Sequence, residues 1–146
     1  MAVKLFKLCQ KLTKKHIPFI PRIIELLLRY FCGCEIHGRM KCGGKLQLPH
    51  NGLGVVINPN TVIGNNVKIY QNVTIGGRDG SGAPIIDDDV MIGAGAVILG
   101  DVHLYKGARI GANAVVICDV PAYATAVGVP AVIKEKNHTR SNENGE

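Results

Sequence analysis

The chain has 146 residues, of which 47% are hydrophobic and only 5% aromatic, and a net charge of +6. This length fits one domain, and the few aromatic residues favour a core of thin aliphatic layers. No apolar run is long enough to span a membrane, five cysteines without a signal peptide argue against a disulfide framework, and no nucleic-acid-binding motif accompanies the basic charge. The sequence therefore predicts a cytoplasmic protein that binds no nucleic acid.

Residues 1–33 have the pattern of two short helices. Leu5, Leu8, Cys9 and Leu12 share one face of the first helix, with lysines between them. Pro18 and Pro21 separate it from a second helix rich in Ile and Leu. A basic amphipathic helix either packs on its own domain or a neighbouring subunit, or lies on a membrane surface. The pattern favours packing.

From residue 34 to about residue 133, a bulky aliphatic residue recurs at steps of six. The series is Ile57, Ile63, Ile69, Ile75, Ile86, Ile92, Ile98, Leu104, Ile110 and Val116. A period this short excludes helical repeats, whose units need roughly 30 residues or more. It predicts a mainly β solenoid of very short strands, with three sides and about 18 residues per coil. The aliphatic residues should point inward, and Asn65-Asn66, Asp87 to Asp89 and Asn113 should form turns at the corners.

The six-residue pattern breaks twice. The step from Leu48 to Ile57 is nine residues and contains Pro49-His50-Asn51-Gly52-Leu53-Gly54. The step from Ile75 to Ile86 is eleven residues and contains a Gly-rich segment from Gly76 to Pro84, without a Walker A or Rossmann pattern. A regular solenoid is a scaffold, so we expect function where the rule fails.

His50 lies in the first break and is the strongest candidate for a catalytic residue. An imidazole accepts a proton near neutral pH and can activate a hydroxyl as a general base. Glu35 and His37 precede it by about one coil, so either side chain could stack near it, and a carboxylate such as Glu35 could hold the ring. His103 should be exposed.

A metal site is not predicted. Cys32, Cys34, His37 and Cys42 form a cluster in sequence, but their spacing matches no common zinc pattern. Cys42 also continues the six-residue series, which would place it in the core. A zinc hydratase on a β-helix would need three converging histidines, and an ice-binding solenoid would need a flat ladder of threonines, which Thr61 and Thr74 do not provide.

Five segments together resemble the hexapeptide-repeat acyltransferases, and within them the serine O-acetyltransferase branch. The segments are Glu35-Ile36-His37, Leu48-Pro49-His50, Ile69 to Gly77, Val90 to Ala96 and Val127 to Ala131. The resemblance covers residues 34–133 and implies a left-handed parallel β-helix. It also implies a homotrimer that binds acetyl-CoA in the groove between neighbouring subunits, without a metal.

The resemblance assigns roles to particular residues. His50 would be the catalytic base, and Glu35 stands where the branch has an aspartate paired with that base. The residues implied to contact acetyl-CoA are Gly76, Gly77, Gly93, Ala94, Gly111, Ala112, Gly128, Pro130 and Lys134. Lys134 would meet the phosphates, and the turn containing Gly128 and Pro130 would lie near the adenine. His37 and Arg78 are the candidates for contact with the acceptor.

Three features depart from the branch and leave the acceptor open. Pro49 replaces an acidic residue that helps to hold serine, the second break is shorter and lacks an Arg-His pair, and only some 33 residues precede the solenoid. The acceptor is therefore L-serine or a related small molecule, or else a sugar hydroxyl of a surface-polysaccharide precursor. A catalytically silent trimeric relative is the non-enzymatic alternative. Residues 134–146 are polar and should form a disordered tail.

Overall fold

A computed structural model describes residues 1–135, and most of the predicted C-terminal tail lies outside the described residues. Two helices, α1 (Ala2–Lys14) and α2 (Ile20–Cys32), precede a β-helix. Gly33 ends α2 in the left-handed conformation at a φ of 63°, where glycine has no steric penalty. Helix α2 therefore ends just before the β-helix begins.

The two helices cover the first coil of the β-helix. Ala2, Phe6 and Cys9 of α1 are buried, whereas Leu8 is 46% exposed. The face predicted from Leu5, Leu8, Cys9 and Leu12 is therefore rotated: Leu5 and Leu12 are only half-buried. Cys9 packs closely on Gly38, where an added Cβ would lie 2.5 Å from Sγ of Cys9. Helix α1 thus packs backbone-close on the first coil, with Phe6 turned inward.

Within residues 1–135, fourteen strands, each of two or three residues, form three sheets. Sheet 1 contains β1 (Lys41–Cys42), β4 (Val62–Ile63), β7 (Ile85–Ile86) and β10 (His103–Leu104). Sheet 2 contains β2 (Leu46–Gln47), β5 (Val67–Ile69), β8 (Met91–Ile92), β11 (Arg109–Ile110), β13 (Thr125–Val127) and β14 (Val132–Lys134). Sheet 3 contains β3 (Val56–Ile57), β6 (Thr74–Gly76), β9 (Val97–Leu99) and β12 (Val115–Val116). Every pairing is parallel except that of β13 with β14, so the chain winds through sheets 1, 2 and 3 in turn.

The register between coils confirms the predicted period and its breaks. Val56 pairs with Thr74 at a separation of 18 residues, which is three sides of six. The first break lengthens one coil, because Leu46 pairs with Val67, and the second lengthens another, because Lys68 pairs with Met91. The insertions therefore leave the sheets in register and extend only the corners.

The predicted aliphatic series forms the core, as expected. All ten residues from Ile57 to Val116 in that series are at most 1% exposed. The small or β-branched residues four places later, such as Val73, Ala96 and Ala114, are buried as well. Each side of a coil therefore contributes two inward side chains, and the core is a stack of thin aliphatic layers.

Three details of the solenoid differ from expectation. Cys42 is only half-buried, because it lies in the first coil, where one neighbouring coil is missing and α1 replaces it. The last coil is two residues short, since Arg109 pairs with Thr125; this is a third irregularity that the sequence pattern concealed. Lys134 belongs to β14 rather than to the tail.

The three corners of each coil stack into three long edges. The first, between sheets 1 and 2, contains Asn66 and Asp89, which adopt the predicted left-handed turns with φ of 56° and 62°. The second, between sheets 2 and 3, contains the first break and is called the His50 edge. The third, between sheets 3 and 1, contains the second break and is called the loop edge.

Candidate active site

His50 lies in a tight turn at the start of the His50 edge. The segment Pro49–Gly52 forms a 3₁₀ turn between β2 and β3, and the His50 side chain is exposed. The backbone of the turn is held at Gly54, whose N–H donates to the carbonyl of Gly33 at 2.8 Å. The inserted residues thus project from the coil while both ends remain anchored.

The backbone of this turn is strained. His50 and Asn51 have φ of 54° and 57°, in the left-handed region. Such a conformation costs a residue with a side chain roughly 1–2 kcal/mol. Two consecutive residues of this kind, followed by a left-handed Gly52, are an observed outlier of the sort that clusters at functional sites. The strain supports the choice of His50 as a functional residue independently of its side-chain chemistry.

Glu35 faces partners other than His50 within this chain. One of its carboxylate oxygens lies 3.6 Å from Nε2 of His37 and the other 3.5 Å from a guanidinium nitrogen of Arg29. Within residues 1–135, no side chain hydrogen-bonds the ring of His50. The pairing of Glu35 with His50 therefore remains a prediction.

His37 lies between two carboxylates. Its Nδ1 is 3.6 Å from Glu25 of α2, and its Nε2 faces Glu35. Glu25 is fixed because its other oxygen accepts a hydrogen bond of 3.0 Å from the N–H of Gly38. A cavity of about 370 Å³ opens beside this group, with His37 and Arg22 in its wall. An acceptor contact by His37 remains a prediction. Its contact with Glu25 of α2 could not be predicted from the sequence.

A strip of small side chains covers two successive coils of the His50 edge. The N–H of Gly93 donates to the carbonyl of Ile110, which stacks Gly93 and Ala94 directly on Gly111 and Ala112 of the next coil. A Cβ on Gly93 would lie 2.6 Å from the backbone nitrogen of Ala112. The four residues predicted to contact acetyl-CoA are therefore neighbours in space, on the same edge as His50.

Gly93→Ala should destabilise the protein by about 1–3 kcal/mol, because backbone atoms of the next coil must move to admit the methyl group. Thermal and urea denaturation would measure the change. Gly43→Ala is the matched control, since its Cβ would meet its nearest neighbour at an ordinary 3.5 Å. Equal stability of the two variants would contradict the close stacking of coils at Gly93.

The same edge ends at Gly128 and Pro130. The carbonyl of Gly128 accepts a hydrogen bond of 3.0 Å from the N–H of Val115. Lys134 lies on β14, opposite Thr125. His50 and the turn at Pro130 thus lie towards the two ends of the His50 edge, with the glycine and alanine strip between them.

The second break lies on the loop edge, away from His50. Gly76 ends β6 and accepts a hydrogen bond from the N–H of Gly100 at 3.0 Å. Arg78 and Ser81 close a turn, with the N–H of Ser81 donating to the carbonyl of Arg78 at 2.7 Å. The guanidinium of Arg78 lies 3.2 Å from the carboxylate of Asp79, and both side chains are largely exposed. Within one chain, Gly76, Gly77 and Arg78 are therefore on a different edge from His50.

One polar group of the His50 edge is not predicted by the sequence pattern. The side-chain oxygen of Gln71 is shielded from solvent and has no hydrogen-bond partner among the described residues. It lies one coil beyond His50, and its own backbone carbonyl accepts from the N–H of Gly95. Such unpaired groups are rare and require an explanation. A polar residue on a regular coil gives no signal in the sequence that would distinguish it.

His103 lies in sheet 1, apart from the His50 edge. His103 is half-buried rather than exposed: its Nε2 is 2.8 Å from Asp87, and its ring stacks on Tyr105 at 4.0 Å. Burial raises the pKa of the Cys34 thiol to about 11, so it stays protonated at neutral pH. Among residues 1–135, no three His, Cys, Asp or Glu side chains form a group suited to a metal ion.

Comparison with known proteins places the chain in a class. Residues 83–118 match the family model described as bacterial transferase hexapeptide (six repeats). The serine acetyltransferase of Bacillus licheniformis is 40% identical over 139 residues, which cover 93% of this chain and 64% of that protein. A solved serine acetyltransferase in complex with CoA is 36% identical with a TM-score of 0.83, over 91% of this chain and 55% of that one. The Neisseria gonorrhoeae enzyme in complex with serine is 34% identical with a TM-score of 0.84, over 92% and 55%.

Residues 83–118 form a hexapeptide-repeat segment, and the predicted left-handed parallel β-helix with a short helical segment is confirmed. The chain is similar to serine acetyltransferases over most of its own length. It spans less than two thirds of the length of the Bacillus licheniformis relative and little more than half of the solved chains.

Proposed function

We propose that the protein is an O-acetyltransferase that moves the acetyl group of acetyl-CoA to a hydroxyl acceptor, with L-serine or a related small molecule as the first choice. One observation carries the proposal: the strained turn of His50 lies on the same edge of the β-helix as the closely stacked Gly93, Ala94, Gly111 and Ala112. A solved homologue binds CoA, and another binds serine.

The residues of the groove suit a thioester substrate with a long flexible arm. The glycine and alanine strip allows such an arm to lie against the backbone, whose N–H and C=O groups can bind its amides. Gly128 and Pro130 are then placed for the adenine end, with Lys134 near the phosphates. Gly76 and Gly77 reach this groove only from a neighbouring subunit, because they lie on the loop edge.

In the proposed reaction, His50 acts as a general base. Its imidazole takes the hydroxyl proton while the acceptor oxygen bonds to the thioester carbon and the carbon–sulfur bond breaks. The imidazolium then gives that proton to the departing thiolate. Backbone N–H groups near the turn would stabilise the negative charge that develops on the carbonyl oxygen. Glu35 would steady the imidazolium if the assembled site brings it to His50.

The site is proposed to form between subunits of a homotrimer. His50 and Arg78 lie on different edges of one β-helix, so they meet only if the loop edge of one copy packs along the His50 edge of the next. This arrangement closes around a three-fold axis without leaving an unpaired face. The described helices are too short to cross a bilayer, and we propose that the enzyme works in the cytosol.

A sugar hydroxyl is the second candidate acceptor. Serine carries a carboxylate that requires a cation, and the only arginine of the second break, Arg78, faces Asp79 instead. Pro49 also gives no charged contact beside His50. These two features favour an acceptor without a carboxylate, such as a nucleotide sugar or a glycan.

An acceptor screen tests the proposal. Loss of the thioester absorbance of acetyl-CoA would be followed with L-serine, with serinol, which lacks the carboxylate, and with nucleotide sugars. This readout is insensitive to the exposed thiol of Cys118. Turnover of L-serine well above that of serinol would support the first choice, and turnover of sugars alone would support the second. No acetyl transfer to any acceptor would favour a catalytically silent relative.

A further inference from the structure

Helix α2 exposes a continuous apolar face. The side chains that form it, here called the α2 face, are Phe19, Ile20, Ile23, Leu27, Tyr30 and Phe31. Phe19, Tyr30 and Phe31 are 78%, 81% and 74% exposed. Their spacing of three and four residues places them on one side of the helix, next to the buried row of Ile24 and Leu28. An apolar surface of this kind marks a binding site rather than ordinary scatter.

The helices also carry the whole net charge of the chain. Residues 1–33 contain seven Lys and Arg and one Glu, whereas residues 34–146 contain ten basic and ten acidic residues. Lys4, Lys7, Lys11 and Lys14 are exposed on α1, which packs against α2. The β-helix is therefore neutral, and the +6 of the chain is carried by the helical segment that includes the α2 face.

We propose that the α2 face and the lysines of α1 bind the surface of an anionic phospholipid bilayer. A 13-residue helix is too short to span a bilayer, but it can lie in the interface with its apolar side chains among the acyl chains. Phenylalanine and tyrosine rings suit that depth, and each lysine near an anionic surface adds roughly 1 kcal/mol of attraction.

Charge selects the bilayer over a second copy of the chain. Two copies joined through their α2 faces would bring two strongly basic segments together, and like charges across an interface oppose association. Anionic headgroups attract the same basic residues, so the electrostatic contribution becomes favourable. The apolar and electrostatic contributions then act together, which is the combination that stable binding at a membrane surface requires.

Co-sedimentation of the full chain with vesicles tests the proposal. The wild-type protein should bind vesicles of mixed phosphatidylcholine and phosphatidylglycerol, bind phosphatidylcholine alone much more weakly, and dissociate at high salt. Lys4→Gln, Lys7→Gln and Lys11→Gln together should weaken partitioning on the order of a hundredfold. The matched control changes Lys45, Lys68 and Lys106 of the β-helix to Gln, which gives the same net charge, and should bind nearly as wild type does.

Phe19→Ser, Tyr30→Ser and Phe31→Ser together should reduce binding by more than about tenfold. Serine has a helix propensity close to that of phenylalanine and tyrosine, so α2 should persist in circular dichroism. Failure of the wild type to bind anionic vesicles would overturn the proposal, as would equal losses in the two lysine variants. The α2 face would bind a second copy instead if the wild type failed to bind vesicles and formed oligomers that the aromatic variant did not form.

Discussion

Replacing His50 by asparagine should lower kcat by a factor between about 10² and 10⁴, because the acceptor hydroxyl would lose its general base. The affinity for CoA should remain nearly unchanged, since the imidazole lies at the reacting end of the proposed site and not beside the rest of the bound CoA. Asparagine is preferable to alanine here because it tolerates the left-handed backbone that His50 adopts at a φ of 54°. Steady-state kinetics and calorimetric titration with CoA measure the two quantities.

The matched control is His103→Asn. His103 lies in sheet 1 and pairs with Asp87, away from the His50 edge, so its loss should leave kcat close to that of the wild type. Thermal denaturation of both variants separates a loss of catalysis from a loss of structure. A fully active, folded His50→Asn enzyme would remove His50 from the mechanism.

The core and the placement of the breaks could be predicted because both depend on local spacing. An inward aliphatic residue every six positions fixes which side chains fill the interior, and an insertion that keeps the register must leave at a corner. The shortened last coil could not be predicted, because the prediction depends on the same local spacing. Val120 stands four places after Val116, where the pattern also has a small or β-branched residue, so two missing residues between them leave no gap.

The contacts of Glu35 could not be predicted in the same way. Arg29 and Glu25 reach the first coil from α2, and the position of α2 depends on how it packs rather than on the six-residue period. His103 and Asp87 are in adjacent coils, 16 residues apart, so their pairing requires the exact register. Side chains joined through packing between elements therefore stay outside what one sequence reveals.

Two inactive variants should restore activity when their subunits are combined in one trimer. Arg78→Ala should be nearly inactive with L-serine, because a charged hydrogen bond to the carboxylate is worth about 1.5–3 kcal/mol. His50→Asn lacks the base. A site made of His50 from one subunit and Arg78 from the next is intact only where an Arg78→Ala subunit supplies His50 and a His50→Asn subunit supplies Arg78.

Random mixing leaves about one interface in four intact, so trimers co-expressed from equal amounts of the two variants should recover about a quarter of the wild-type rate. Separately purified and mixed trimers are the control, and they should stay inactive because no subunits exchange. Recovery in the co-expressed sample alone would support a site built between the His50 edge and the loop edge. No recovery would mean that His50 and Arg78 do not meet across an interface. An active Arg78→Ala variant would show that Arg78 does not bind the acceptor, and acceptors without a carboxylate would then be tested.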